Sequence, residues 1–109
     1  MPRPKKMRFV AGYPSINRFV PEGMPQTGEV GLSVEGFEAI RLSDFERLDQ
    51  ETAAKIMKIS RQTYGRILGE ARGIVSDALV TGKALNIGGG TYETHGLHMR
   101  HRKRGKGRR

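Results

Sequence analysis

Ser60, Arg61, Gln62, Thr63 and Arg66 follow one another closely enough to share about two turns at the start of a helix. Their chemistry is recognition rather than bond making. Arginine can hold guanine O6 and N7 with two N–H groups, and glutamine can do the same for adenine N6 and N7. A serine at a helix start, with the free N–H groups beside it, suits a phosphate. On an ordinary solvated helix face these side chains would read nothing, so the elements that hold them decide the matter.

Bond-making chemistry finds little support. The chain has no cysteine, so thiol nucleophiles, disulfides and thiolate metal sites are excluded. No Ser-His or carboxylate pair has the spacing of an active site. Gly88-Gly89-Gly90 is not followed by the Lys-Ser/Thr of a phosphate-binding loop. His95, His98 and His101 stand three apart and would hold Ni²⁺, Cu²⁺ or Zn²⁺ weakly on a helix, but a Gly- and Arg-rich segment repels itself out of that geometry. The chain is expected not to be an enzyme, with no cofactor and no metal site.

The holding unit is QETAAKIMKISRQTYGRIL, Gln50–Leu68. A helix-turn-helix crosses two helices steeply through a turn of three or four residues. The crossing needs a small side chain in the first helix, here Ala54. The turn needs apolar plugs, here Met57 and Ile59. The second helix needs a cap, Ser60, and inward anchors, Tyr64, Ile67 and Leu68. Lys58 occupies a turn position that favours positive φ and would be more comfortable as Gly or Asn. A plain helical hairpin is the competing reading. If the motif holds, Ser60, Arg61, Gln62, Gly65, Arg66 and Gly69 face outward. Thr63 adds a near-base contact, and Lys58 and Arg72 add electrostatic affinity.

The neighbouring segments follow from caps and periodicity. Ser33 is an N-cap with Glu35 in its first turn. The helix behind it places Val34, Phe37, Phe45 and Leu48 in one narrow inward arc, with Ile40 and Leu42 flanking. Asp49 caps a short helix running to about Lys58. A longer helix should run from Arg61 to about Thr81, with Tyr64, Ile67, Leu68, Ala71, Ile74, Val75, Ala78 and Leu79 inward and Gly82 as its stop. Phe9–Pro25 reads as one or two short strands or extended pieces, Gln26–Leu32 as a linker, and Leu85-Asn86-Ile87 as a short strand that pairs with the Phe9–Val20 region in the same chain or across a dimer. Gly65, Gly69 and Gly73 form one outward stripe, read either as close backbone approach to DNA or another helix, or as loosely constrained surface.

Charge is distributed unevenly. The net charge is +9. The ends, residues 1–8 and 95–109, hold eleven of the 20 basic residues and none of the 11 acids. The body between them therefore carries nine bases against eleven acids and is slightly acidic. Arg3, Lys5 and Lys6 make one cationic arm, and Arg100, Arg102, Lys103 and Arg104 lead the other. Such arms release counterions from a polyanion. A solubilising tail and an anionic membrane surface are the alternatives. Within the body, Lys55–Arg72 is basic and Val34–Glu51 acidic, so positive charge collects on the proposed reading helix. No segment approaches the ~20 apolar residues of a membrane span, and the N-terminus lacks the apolar run of a signal peptide.

Hydrophobic residues make up 36%, and the 15 glycines bring the apolar share to the usual globular level, so a compact body with unfolded ends is expected. The expected organisation is a basic arm over 1–8, a helix-turn-helix domain over 9–92 and a flexible basic tail over 93–109. The fold class is mainly α: three helices, short N-terminal extended or β segments, and a short strand after the last helix.

Together these pieces resemble the UPF0251 (DUF134) family of small proteins regarded as DNA-binding. The matching residues are MPRPKK at the start, Phe19–Pro25, Glu38–Asp44, Leu48–Leu68 with its Ser60-Arg61-Gln62-Thr63 core, and Ala78–Leu85. The helical part is also similar to sigma-factor region four, where an acidic-to-leucine helix precedes the helix-turn-helix as Glu38–Leu42 does here. That resemblance implies a winged or sigma-like helix-turn-helix and a role in transcription. The partners expected are duplex DNA, RNA polymerase and a second copy in a homodimer, in the cytoplasm and without a membrane. Three functions compete: a sequence-specific regulator, a non-specific nucleic-acid or ribosome-associated protein driven by its arms, and an adaptor that touches RNA polymerase.

Overall fold

A computed structural model describes residues 8–90 and 92–94. Three helices carry the body. Helix α1, Val34–Ile40, starts where expected, with the Ser33 hydroxyl accepting from the Gly36 N–H at 3.0 Å. Gly36 lets α1 pack closely there, since a Cβ would sit 3.0 Å from Leu32 Cδ1 and 3.3 Å from Ala71 Cβ.

A π-helical turn, Arg41–Phe45, follows α1 directly, and the Glu46 N–H donates to the Arg41 carbonyl at 2.8 Å. This corrects the inward arc. An i→i+5 step adds a residue to the turn and rotates everything after it. Leu42 stays buried, but Phe45, expected inside, is 77% exposed.

Helix α2, Gln50–Met57, is capped by Asp49, whose carboxylate accepts from the Thr52 N–H at 2.7 Å. Helix α3 spans Arg61–Thr81 and stops at Gly82, which takes a left-handed φ of +80°. Both match expectation. One core cluster gathers Val34, Leu42, Met57, Tyr64 and Leu68 where α1, α2 and α3 meet. A second joins Leu32, Ala71, Ala78, Leu85 and Ile87 beneath a small sheet.

That sheet has three strands: β2 (Arg18–Phe19), β3 (Glu29–Leu32) and β4 (Ala84–Ile87), with β4 central. β2 runs antiparallel to β4 (Phe19 opposite Leu85), and β3 runs parallel to it (Glu29 opposite Ala84, Leu32 opposite Ile87). The expected strand after the last helix is therefore present, and it pairs with the expected region within the same chain. The linker reading of Gln26–Leu32 is corrected. Its latter half is a strand, whose partner lies in a distant part of the chain and leaves no local mark. Arg8–Val10 forms a further strand, β1, parallel to β5, Tyr92–Thr94, an element the periodicity did not suggest.

Leu79 is also corrected. Ala78 beside it is buried, yet Leu79 is 79% exposed and Val80 83%. The nearest cover, β2, is only two residues long and lies at the sheet edge, so the sheet is too narrow to reach round this end of α3.

Candidate nucleic-acid interface

Three residues, Lys58–Ser60, join α2 to α3. Lys58 adopts the left-handed conformation expected of its position (φ 60°, ψ 43°), and the Ile59 N–H returns to the Ala54 carbonyl at 3.0 Å. Met57 and Ala54 are buried beneath the connection. Ser60 then caps α3, accepting from the Thr63 N–H at 3.1 Å and donating to the Thr63 hydroxyl at 3.0 Å. The first-turn N–H groups of Arg61 and Gln62 have no carbonyl within the helix to accept from them.

One side of α3 is fixed to the body. The fully buried Tyr64 ring sends its hydroxyl to the Ala39 carbonyl at 2.9 Å and meets the Ser43 hydroxyl at 2.5 Å. Burial pushes that phenol's pKa up. Ile67 and Leu68 are buried alongside it. The helical repeat turns Gln62 and Arg66 away from this buried side, Arg61 flanks it at the open first turn, and all three are exposed. Neither arginine has an ion-pair partner among the described residues. Thr63 is half-buried against its cap.

Two expected contributors are otherwise engaged. Arg72 forks onto the Asp44 carboxylate (2.7 and 3.2 Å), tying α3 to the π turn and holding the Asp44 pKa below its ordinary value through that hydrogen bond. Lys58 lies over the Phe9 ring, its ammonium 4.3 Å from the centroid. Neither partner was legible in the sequence, because each comes from a remote segment with no spacing to reveal it. Arg8 is likewise buried, 4.0 Å from Glu35. The buried Glu38 accepts two hydrogen bonds from Arg41 at 2.9 Å and one from the Ala11 N–H at 3.2 Å. The acids of α1 thus serve the fold.

The glycine stripe divides. Gly65 is approached by Gln50, whose Oε1 lies 3.3 Å from where a Cβ would stand, whereas Gly69 and Gly73 face open space. Among the described residues, nothing stands within 4 Å of where a Cβ at Gly73 would lie. The arm residues Arg3, Lys5, Lys6, Arg100, Arg102, Lys103 and Arg104, and the three histidines, lie outside the described residues. Among the described residues no group of three or more His, Cys, Asp or Glu side chains is placed to hold a metal, and no helix is long and apolar enough to cross a membrane.

With this geometry in hand, the chain can be set beside other proteins. It belongs to the family described as protein of unknown function DUF134, which matches residues 1–95. Similar relatives include a UPF0251 protein of Caldanaerobacter subterraneus subsp. tengcongensis, 49% identical over 102 residues that make up 92% of this chain and 86% of the relative. Another, from Thermoanaerobacter pseudethanolicus, is 50% identical over 97 residues, 87% of this chain and 82% of the relative. In a UPF0251 protein of Syntrophobacter fumaroxidans, 52% identical over 92 residues, the match spans 83% of this chain and 59% of the relative. No solved structure matches the chain.

Proposed function

We propose that this protein binds duplex DNA in the cytoplasm, with α2 and α3 as a sigma-region-four-like helix-turn-helix and the start of α3 in the major groove. The reading is carried by one observation: Arg61, Gln62 and Arg66 are exposed at the start of a helix that Tyr64, Ile67 and Leu68 clamp to the body. A reading helix needs that combination, because side chains discriminate bases only when the backbone beneath them is fixed. The open N–H groups beside Ser60 suit a phosphate. The contact of Lys58 with Phe9 attaches β1 beside the turn. Base contacts then come from Arg61, Gln62, Thr63 and Arg66. Arg72 supports the site through Asp44 more than through phosphate.

The test compares duplex binding by the full chain, by Arg61→Ala and Arg66→Ala, and by a chain ending at Thr94. Each arginine lost from a base should cost about 1–3 kcal/mol and relax preference at one position. Removing the tail should weaken all sequences evenly and flatten the salt dependence. Equal loss on every sequence in all three would support arm-driven, non-specific binding instead.

A protein contact is favoured by a separate observation, the exposed Phe45 flanked by Asp44 and Glu46. If this face meets RNA polymerase, co-purification of polymerase should survive Arg61→Ala with Arg66→Ala and fail with Phe45→Ser.

A further inference from the structure

The C-terminal end of α3 bounds an apolar groove that the described chain does not fill. It has a volume of about 440 Å³ and lies between Phe19, Val20 and Pro21 on one wall and Val75, Ala78 and Leu79 on the other. Leu79 stands on its rim at 79% exposure, and Val80 extends the apolar face round the helix. Phe19 and Val20 are half exposed on the far wall (51% and 55%). These four residues present on the order of 400 Å² of apolar surface, within the size range of patches that are often functional. A standard-size interface buries roughly 800 Å² per partner, about 65% of it apolar in homodimers, so this patch supplies most of the apolar share and the remaining groove lining the rest.

The chain's own C-terminal residues suit this groove poorly. Residues 95–109 carry seven lysines and arginines, with Leu97 and Met99 as their only large aliphatic side chains. The groove lining is almost wholly apolar, and its one charged residue, Lys83, is already paired with Asp77 at 2.9 Å, so it offers such a cationic segment no counter-charge. A second copy fits better, because each copy supplies both a protruding side chain, Leu79, and a recess to receive it. That is the self-complementarity of a two-fold interface.

We infer that two copies of this chain associate through the Phe19–Val20/Leu79–Val80 face about a two-fold axis, each Leu79 entering the other's groove. The consequence for DNA rests on the reading proposed above. Gly65, at the centre of the reading segment, is fourteen residues from Leu79, or ~21 Å along α3. Two copies meeting at Leu79 hold their reading segments up to ~40 Å apart, and nearer when the helices meet at an angle. Successive major grooves on one face of DNA lie about 34–36 Å apart. The target is therefore an inverted repeat with half-sites one helical turn apart.

Sedimentation equilibrium of the full chain tests the interface without DNA, at ~500 mM salt to suppress bound nucleic acid. The wild type should show twice the 12.1 kDa chain mass. Leu79→Glu and Val20→Glu, one on each wall, should each give the single-chain mass while melting cooperatively, and Phe45→Ser should remain dimeric. A wild type that stays monomeric at ~100 μM, or folded Leu79→Glu and Val20→Glu variants that both stay dimeric, would overturn the inference. Binding-site selection separates it from the DNA reading. A dimer that enriches no sequence leaves the interface standing and removes the reading. A monomer that enriches a lone half-site does the reverse.

Discussion

The Lys58 ammonium lies 4.3 Å from the centroid of the Phe9 ring, so the residue that turns the chain between α2 and α3 also grips the strand that follows the basic arm. Two demands meet at one residue. The backbone, at φ 60°, favours glycine, while the side chain supplies a cation–π contact that glycine lacks.

Those demands can be separated by substitution. Lys58→Ala and Lys58→Gly both lose the contact with Phe9, but only alanine keeps the left-handed strain. Lys58→Gly should be the more stable of the two by about 1 kcal/mol in urea unfolding. Equal stabilities would mean that the turn does not hold Lys58 in this conformation.

Two glycines should respond oppositely to alanine. At Gly69 the added Cβ meets open space, so Gly69→Ala should stabilise α3 by roughly 0.5–1 kcal/mol. At Gly36 the Cβ would press on Ala71 Cβ and Leu32 Cδ1, so Gly36→Ala should cost about 1–3 kcal/mol through overpacking. Thermal melts of the two variants decide it: a stabilised Gly36→Ala would contradict the close approach of α1 to α3, and a destabilised Gly69→Ala would contradict the open space at that position. If Gly69→Ala also leaves DNA affinity unchanged, Gly69 is not a point of close backbone approach to DNA.

Stability should fall in acid. Asp44 is held below its ordinary pKa mainly by the Arg72 hydrogen bond, Asp49 by the Thr52 N–H, Asp77 by the Lys83 hydrogen bond and Glu29 by the Asn86 amide. A depressed folded-state pKa contributes stability that is present above the unfolded value, about 4 for these groups, and lost as pH falls through the folded value. The melting temperature should therefore decline as pH drops below about 4. Asp49→Asn, which keeps a capping side chain and removes one titration, should decline less steeply. A melting temperature that rises on acidification would contradict these pairings.

Much of this arrangement was legible because its determinants are local. Ser33, Asp49, Ser60 and Gly82 each mark a helix end through atoms within four residues, and each stands at the end it was expected to mark. The departures share a non-local or phase-dependent cause. Phe45 left the core because the π turn broke the 100° step on which the arc depended. Glu29–Leu32 became a strand only because β4 lies beside it. Leu79 follows the inward repeat of α3 yet is exposed, since periodicity records which way a side chain points and not whether anything covers it. At the proposed reading face, the outward direction of Gln62 and Arg66 could be read from the repeat, whereas the tie of Arg72 to Asp44 could not.

The most direct test of the account is selection of bound sequences from a random duplex pool at ~150 mM salt, where purely electrostatic binding is weakened. The account predicts enrichment of a defined motif, an inverted repeat with half-sites one helical turn apart, and a changed motif for Arg61→Ala. Retention without any enriched sequence, falling smoothly as salt rises, would contradict it and leave α3 without a reading role.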